Sequence, residues 1–542
     1  MVKPQIRRNM VDRVIDYVDP LRGARRLQAR AATAMLGATG YIGADRSRRA
    51  TKHWNAIGAS PDVDQLQDLP TLRARSRSLL RDTPLALGAI NTNVTSVVGS
   101  GLMLKSTIDA DALGMSDAEA EEWQRAAQRE FRSWAESPFH FDVEATLDFY
   151  SMQALAFRST LESGDTFTLL PYRMRAGGNY GTKVQLLEGD RICNPNNKPD
   201  DPDGYRAGIK LDADGMPMLC AIADRHPGDY QRRRNTWQEY RFYGERTGRR
   251  NVIHLFEKIR PGQRRGMPYL APVIEPLKQL AQYSEAEIMA AVISGMFTVF
   301  IKRAEGGDPD VQIGGEADGA DMELGYGAIG DLGPGEEVQF ANPGRPNASF
   351  DPFVKAILQQ VGVGLQIPME VLIKHFSSSY SAARAALLEA WRFFKVRRQW
   401  LASSYCQPIY EVWLAEAVSS GRLSAPGFFK DAAIRAAYSR AEWMGDGPGS
   451  IDPQKEVTAI KERIGLGLTT LEKEAAQYDG SDWRDNVMQR GKEVALMKEQ
   501  GVTAAAPSPT GPPNAPVDPA ADDEEGDDDA PPGAPPKPGN DE

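Results

Sequence analysis

The stretch KHFSSSYSAARAALLEAWRFFKVRRQW, residues 374–400, decides the fold of this chain. It opens with a loop of hydroxyl side chains that contains no glycine and runs directly into a long alanine-rich segment. The side chains at the spacing of one helical face are Leu387, Trp391, Phe394, Arg398 and Leu401. This spacing predicts a long helix with one packed face. Ser379 or Ser381 at its start is a candidate N-cap, because a serine oxygen accepts from an unpaired backbone N–H.

Helical periodicity extends upstream of this stretch. Residues 71–104 predict two helices separated at Pro84, and residues 118–163 predict two more. Two amphipathic segments, residues 271–302 and 350–370, then precede the hydroxyl loop, with a Gly/Asp-rich interval between them. Helical segments therefore recur along the chain before the loop.

Downstream of the stretch the pattern stays helical and then stops. Pro408 lies inside the helical pattern and predicts a kink, because proline has no N–H to donate. Residues 420–500 are mostly helical and polar. From residue 503 onward, eleven prolines and ten acidic residues against Lys537 alone forbid a packed core, which predicts a disordered tail.

The periodicity changes between residues 165 and 256. Short β-branched or alternating segments are separated there by turn residues, which predicts an antiparallel sheet. Asp214-Gly215 suits the positive φ angles of a tight hairpin turn, so Asp212 and Asp214 are turn residues rather than metal ligands. Helical segments together with an antiparallel sheet predict an α+β fold.

The composition is that of an ordinary soluble globular protein, with 41% hydrophobic and 25% charged residues. Most of the net charge of -10 comes from the acidic tail, whereas the first fifty residues hold eleven Lys/Arg against four Asp. Such a basic arm suits phosphate or an acidic neighbour. The N-terminus does not resemble a signal peptide, and the longest mostly apolar run, residues 286–301, is shorter than the ~20 residues of a membrane span. The three cysteines are widely spaced and predict neither disulfides nor a CxxC metal site.

The residue patterns of common enzymes are missing from the sequence. It contains no GxxxxGK[ST] phosphate loop, no GxSxG elbow and no HExxH motif. His254, in a predicted strand, is expected to be half-buried and hydrogen-bonded. His375 borders the serine loop, but a His375–Ser378 pair lacks any oxyanion-hole motif. We therefore predict no catalytic residue, no cofactor and no metal site, with a calcium site in the acidic stretch 303–325 as a minor alternative.

Six stretches together resemble the lambda-type family of bacteriophage portal proteins. Four occur in family order in the central and C-terminal parts: HLFEKIRPGQRRGMPYLAPVIEPLKQLAQYSEAEIMAA, LGPGEEVQFANPGRPNASFDPFVKAILQQVGVGLQIPMEVL, SSSYSAARAALLEAWRFF and IDPQKEVTAIKERIGLGLTT. Two more, RDTPLALGAINTNVTSVVGSGL and SGDTFTLLPYR, extend the resemblance toward the N-terminus. It covers about residues 70–500. The acidic, proline-rich tail is a departure that the resemblance does not explain.

The resemblance implies a nonenzymatic, homo-dodecameric ring at one capsid vertex of a virion assembled in the host cytoplasm. Double-stranded DNA would enter through it, driven by the terminase large subunit, and leave at infection. Further implied partners are the major capsid protein, the scaffold and the head-tail neck or adaptor proteins, with no membrane. The implied segments are a basic arm (1–70), wing (71–260), first stem helix (261–302), clip (303–348), second stem helix (349–373), tunnel loop (374–382), long kinked helix (383–419), crown (420–502) and tail (503–542).

In that architecture the hydroxyl loop would project into the DNA channel. The loop residues are Lys374, His375, Phe376, Ser377, Ser378, Ser379, Tyr380 and Ser381. Hydroxyl groups exchange weak hydrogen bonds with passing phosphates, whereas each Lys or Arg adds a salt-dependent attraction that would hold the DNA back. This difference explains why an uncharged loop suits a channel for a moving polyanion.

Two groups of cations remain to be assigned. Those of the long helix are Arg384, Arg392, Lys395, Arg397 and Arg398. They are candidates for contact with DNA or with Glu370 or Glu389 of a neighbouring subunit, and the sequence does not choose. The run Arg73, Arg75, Arg77 and Arg81 is interpreted as a solvated or intersubunit face rather than a nucleic-acid site.

Other functions remain as alternatives. A capsid shell or scaffold protein would form closed shells rather than open rings. A serine hydrolase built on the serine loop would react with an active-site serine reagent through Ser378 or Ser379. A motor ATPase would hydrolyse ATP on its own, but the missing phosphate loop argues against it.

Overall fold

A computed structural model describes residues 51–201, 203–229, 235–295, 299–303, 336–340, 349–376, 379–448 and 453–501, with isolated positions before residue 50. The chain divides into two compact units, Met1–Ile451 and Asp452–Glu542. The described part of the first unit combines helices with small antiparallel sheets, and that of the second is helical. The fold is therefore mixed α+β, as the sequence predicts.

The helices and strands follow one another in groups. The helices of the first unit are α1 Pro61–Gln65, α2 Leu69–Asp82, α3 Pro84–Val97, α4 Ala110–Leu113, α5 Asp117–Ala135, α6 Pro138–Phe141, α7 Phe149–Ser163, α8 Ile274–Gly295, α9 Phe350–Leu365, α10 Met369–Ile373, α11 Tyr380–Leu401, α12 Gln407–Ser419 and α13 Ala432–Ser439. The strands are β1 Met103–Ser106, β2 Asp165–Leu169, β3 Gln185–Glu188, β4 Ile209–Leu211, β5 Pro217–Ala223, β6 Trp237–Arg241, β7 Val252–Phe256, β8 Val299–Arg303, β9 Glu336–Phe340 and β10 Ala441–Met444.

Helix α5 shows how local sequence sets a helix and its buried face. Its start is a capping box, in which the Ser116 Oγ accepts from the Glu119 N–H and a Glu119 carboxylate oxygen accepts from the Ser116 N–H. From there the side chains of Trp123, Phe131 and Trp134 recur on one face and are buried. The capping box thus sets where helix α5 begins, and the apolar stripe sets which of its faces is buried.

The predicted sheet is two three-stranded antiparallel sheets, ordered β3-β2-β7 and β4-β5-β6. Gly215 has φ +87° in the turn between β4 and β5, and the Asp212 carboxylate accepts from the N–H groups of Asp214 and Met216. Both aspartates therefore serve the turn, as predicted. Every residue of β2 is buried, so this strand lies at the centre of its sheet and its layer.

The core of the first unit is centred on aromatic side chains from distant parts of the chain. The Phe131 ring lies 5.1 Å from that of Trp413 and 5.4 Å from that of Phe149, in edge-to-face contacts. Tyr410 and Trp443 also contact Phe131. One aromatic cluster therefore joins helices α5, α7 and α12 and strand β10. The long helix after the hydroxyl loop runs toward α12, which contributes Tyr410 and Trp413 to this cluster.

The long helix predicted from the opening stretch is α11, and its regular bonding is interrupted where the sequence predicts a kink. A π-helical turn, Ala402–Cys406, separates α11 from α12, and the Gln407 N–H donates to the Ala402 carbonyl across it. Pro408 follows in the first turn of α12, where a missing N–H costs little. Tyr405 and Cys406 within the turn are buried.

The segment before the hydroxyl loop differs from the prediction at one boundary. The helix expected to reach residue 302 ends at Gly295, and Val299–Arg303 form a strand that pairs antiparallel with Glu336–Phe340. The β-branched residues Val299 and Ile301 suit a strand, and pairing with a distant segment settles the choice. The helix predicted over 350–370 is two helices, α9 and α10.

The second unit contains three described helices: α14 Pro453–Gly465, α15 Leu471–Tyr478 and α16 Trp483–Glu499. Thr470 caps α15, and Asp482 caps α16. Arg463 and Glu474 form an ion pair of 2.9 Å between α14 and α15. Among the described helices of both units, none is long and apolar enough to cross a membrane.

Candidate functional site

The hydroxyl loop starts from a short, anchored helix. Helix α10 ends at Lys374, whose φ of +55° is in the left-handed region, and the His375 N–H donates to the Glu370 carbonyl at 3.1 Å. Val371 and Leu372 of α10 are buried. The base of the loop is therefore fixed by packing and by backbone hydrogen bonds.

The loop itself is exposed where the structure describes it. Lys374, His375, Phe376 and Ser379 face solvent in the single chain. Ser377, Ser378 and the side chain of Tyr380 lie outside the described residues. A His375–Ser378 pair, which the missing oxyanion-hole motif argues against, therefore lies outside them too.

Ser379 occupies the N-cap position of α11. Its side chain makes no capping hydrogen bond, although its carbonyl accepts from the Ala383 N–H at 3.0 Å. Ser381 lies within the helix and is not the cap. Neither serine therefore caps α11 through its side chain, and the capping role predicted for Ser379 or Ser381 is wrong.

The five cations of the long helix fall into two groups. Arg392 and Lys395 are exposed and Arg384 is half-exposed, whereas Arg397 is buried and Arg398 is half-buried. Arg392 pairs with Glu389, one turn away on its own helix, at 3.3 Å. Only the first group is free to reach DNA or a neighbouring subunit from the surface of the chain.

Arg397 joins three elements inside the first unit. Its guanidinium donates to Glu257 at 3.0 Å and to the Asn93 side-chain oxygen at 3.4 Å, and it lies over the Tyr269 ring at 4.4 Å. The Tyr269 hydroxyl in turn donates to the carbonyl of Leu365, the last residue of α9. Arg397 therefore links α11 to α3 and to the loop before α8 rather than to an outside partner.

Arg398 closes the end of helix α3. Its guanidinium donates to the carbonyls of Ser96 and Val97, each at 2.9 Å, and to that of Asp446 at 2.7 Å. The last carbonyls of a helix have no partner within it, and a cation there also meets the negative end of the helix dipole. These three bonds hold the Arg398 guanidinium inside the subunit. They argue against the predicted contact of Arg398 with DNA or with a neighbouring subunit.

We expect Arg398→Gln to lower the free energy of unfolding by about 2–4 kcal/mol, because three part-buried carbonyls lose a charged donor. Urea denaturation at one fixed protein concentration measures this change. Lys395→Gln on the same helix is the matched control, since an exposed side chain contributes less than about 0.5 kcal/mol. Equal losses in the two variants would contradict the interior role of Arg398.

A second cluster of charges, not found from the sequence, surrounds Asp165. This carboxylate is fully buried and accepts from Arg73 at 2.5 Å, from Arg265 at 2.5 Å and from His254 at 3.1 Å. Arg73 also donates to the carbonyl of Ser163. The interpretation of Arg73 as part of a solvated face is therefore wrong, because α2 turns this residue into the protein.

Neighbouring residues extend the cluster to the surface. Arg77, half-buried, pairs with Asp190 at 2.6 Å, whereas Arg75 and Arg81 are exposed. The basic run therefore divides between two faces of one helix. A run of like charges in the sequence does not reveal this division. The acids that pair with Arg73 and Arg77 lie about ninety residues or more away along the chain.

The charges set the protonation of the cluster. Burial alone raises the pKa of Asp165, but the charges of Arg265 and Arg73 and the hydrogen bond from His254 outweigh it and hold that pKa well below its usual value. Burial lowers the pKa of His254 more than Asp165 raises it. His254 is therefore a neutral, hydrogen-bonded ring stacked on Phe167 at 4.0 Å, in agreement with the prediction of a satisfied histidine.

Within the described ranges, no group of three or more His, Cys, Asp or Glu side chains is arranged to hold a metal ion. The acidic stretch 303–325, where a calcium site is the minor alternative, lies outside those ranges except for Arg303.

Comparison with known proteins finds relatives among phage portal proteins. Portal protein B of Escherichia phage lambda is 26% identical over 495 residues, which cover 87% of this chain and 91% of that protein. The portal protein of Escherichia phage N15 is 25% identical over 477 residues, covering 84% of this chain and 89% of that protein.

Among solved structures the chain is similar to proteins in the necks of gene transfer agent particles. For an empty particle computed with C6 symmetry, the TM-score is 0.40 at 12% identity, covering 67% of this chain and 92% of that chain. For a native particle computed with C12 symmetry, the TM-score is 0.41 at 9% identity, covering 77% and 100%.

The family profile described as "Phage portal protein, lambda family" matches residues 47–398. That range contains both three-stranded sheets, helices α8 to α10, the hydroxyl loop and nearly all of α11. Since the match covers more than half of the sequence and agrees with the named relatives, the chain belongs to the lambda family of phage portal proteins.

Proposed function

We propose that twelve copies of this portal protein form a ring at one capsid vertex and conduct double-stranded DNA during packaging and ejection. Family membership over residues 47–398 is the observation that carries the proposal. In this role the chain is a structural component of the virion with no catalytic activity of its own. Its partners would be terminase, the major capsid protein, the scaffold and the neck proteins.

The segments of the chain are assigned to parts of the ring on the same basis. Residues 1–70 would be the basic arm and 503–542 the acidic tail. Between them lie the wing (71–260), the stem (261–302 and 349–373), the clip (303–348), the tunnel loop (374–382) and the long helix (383–419). The antiparallel ribbon that pairs β8, at the end of the first stem segment, with β9, in the clip, supports a hairpin-like clip. We narrow the crown from 420–502 to 452–502, because residues up to Ile451 belong to the first compact unit.

The hydroxyl loop would touch the moving DNA. It carries exposed groups on an anchored base, and the hydroxyl of Ser379 is not used to cap α11. A neutral hydroxyl can donate a hydrogen bond to a phosphate oxygen and release it without the counterion exchange that each cationic contact requires. Lys374 and His375 lie at the anchored base of the loop, next to α10. We expect them to attract the DNA phosphates weakly there.

Native mass spectrometry and negative-stain electron microscopy of the purified chain test the proposal directly. We expect an assembly of about twelve copies of the 59.5 kDa subunit, with a central hole in the images. Closed shells without a hole would instead indicate a capsid shell protein. A chain that stays monomeric even with scaffold and capsid protein present would contradict the ring.

A further inference from the structure

One apolar groove on the first unit has no partner among the described residues. It lies between α9–α10 and α11, has a volume of about 760 Å³, and is lined by Val363, Met369, Phe393 and Val396. Val363 is 81% exposed and Val396 is 70% exposed. Glu370, Glu389 and Arg392 stand at its edges. Side chains of this size at such exposure in a continuous groove indicate a docking surface.

A second apolar surface lies on α8. Ile288, Met289 and Val292 are 64%, 55% and 46% exposed, and their spacing places them on one side of the helix. Glu285, one turn before Met289, is exposed on the same side. These four residues form a ridge with an apolar end and an acidic start.

The groove and the ridge are formed by different helices of the subunit. The ridge is on α8, whose neighbour α9 meets it through contacts of Tyr283 with Phe350 and Phe353. On α9 the groove residue Val363 lies about 200° around the helix from the buried Val361. One chain thus offers two different apolar surfaces.

Two different surfaces are what a closed ring requires. A two-fold dimer pairs one surface with itself, whereas rotation around a ring axis pairs one surface of each subunit with another surface of the next. One pair of opposite charges would meet in such a pairing, because Glu285 precedes the apolar ridge and Arg392, which pairs with Glu389 on its own helix, precedes Val396 in the groove.

We propose that the α8 ridge of one subunit docks into the α9–α11 groove of the neighbouring copy, with Glu285 facing Arg392. The inference rests on the proposed ring and names the surfaces that form it. It assigns Arg392 to a neighbouring subunit rather than to DNA. Passing DNA would have to be contacted by other groups, chiefly the hydroxyl loop.

A mixing experiment tests the pairing. Met289→Asp blocks the ridge and leaves the groove intact, and Val396→Asp does the reverse. We expect each variant alone to be monomeric by native mass spectrometry. An equimolar mixture should give a heterodimer that grows no further, because only one intact ridge and one intact groove remain to meet. Met174→Asp, at an exposed position outside both surfaces, is the control and should form wild-type rings.

Charge exchange adds a second readout. Glu285→Arg or Arg392→Glu alone should weaken assembly by roughly tenfold or more, and both changes in one chain should restore it. Thermal unfolding of every variant checks that the subunit remains folded. Wild-type rings formed by either Asp variant, or no rescue by the double exchange, would overturn the pairing while leaving the ring itself in place.

Cross-linking separates failure of the pairing from failure of the ring. Met289→Cys mixed with Val396→Cys should give an oxidised heterodimer, whereas either variant alone should not. If the wild-type chain forms no ring, the proposed function fails, and this cross-link at high protein concentration still decides the pairing. Absence of the cross-link would overturn it.

Discussion

Asp165→Asn will lower the free energy of unfolding by about 3–5 kcal/mol, the cost typical of leaving buried charges without their partner. Arg73 and Arg265 both donate to this carboxylate at 2.5 Å and are themselves buried. An asparagine keeps the shape of the side chain but removes the charge that compensates two guanidinium groups. Urea denaturation at one fixed protein concentration, followed by circular dichroism, measures the loss.

Glu136→Gln provides the matched control for this prediction. Glu136 pairs with Arg132 at 3.9 Å, with both side chains more than half exposed. Solvent screens such a pair, so its loss should change stability by less than about 1 kcal/mol. A small effect of Asp165→Asn, comparable to that of Glu136→Gln, would show that the buried cluster does not hold the sheet to α2 and to the loop before α8.

The same cluster predicts how stability depends on pH. The pKa of Asp165 is depressed in the folded chain, so its contribution is present above its unfolded pKa of about 3.9 and is lost as the pH falls through the folded value. The pKa of His254 is also depressed, so its contribution is lost as the pH falls below about 6.5. Stability should therefore decrease on acidification, and Asp165→Asn should reduce the loss below about pH 4.

Deletion of residues 375–380 is expected to leave rings intact and to abolish DNA packaging. The deletion removes the exposed loop but leaves the buried residues of α10 and the core face of α11 in place. Assembly depends on those packed elements, whereas passage of DNA depends on the loop in our proposal. Native mass spectrometry reports ring formation, and protection of DNA from nuclease in a packaging reaction reports passage.

Two variants show which property of the loop matters. Replacing residues 375–380 with six glycine and serine residues keeps the length and removes the specific side chains, so partial packaging is expected. Ser379→Lys adds one cation per subunit and should slow packaging most strongly at low salt, because phosphate contacts weaken as salt rises. Full packaging by the deletion variant would refute the assignment of the tunnel loop.

Local features of this protein could be predicted from its sequence because neighbouring residues encode them. The helices on both sides of Pro84, the turn at Gly215 and the neutral hydrogen-bonded His254 all follow from spacing or from residue type. The end of α8 could not be predicted in the same way. Val299–Arg303 became a strand only because Glu336–Phe340, more than thirty residues later, supplies its hydrogen bonds.

The sequence by itself determined the family, the order of helices and sheets, and the uncharged loop before the long helix. Only the tertiary structure decided the roles of the arginines. Arg73 pairs with an acid 92 residues away, and Arg398 caps a helix about three hundred residues earlier, while Arg392 on the same helix stays exposed. A guanidinium is stable in water and can also be buried when hydrogen-bonded partners compensate its loss of hydration, so its residue type does not predict its place. The folded chain decides, because it alone brings the carboxylate or the helix end within reach.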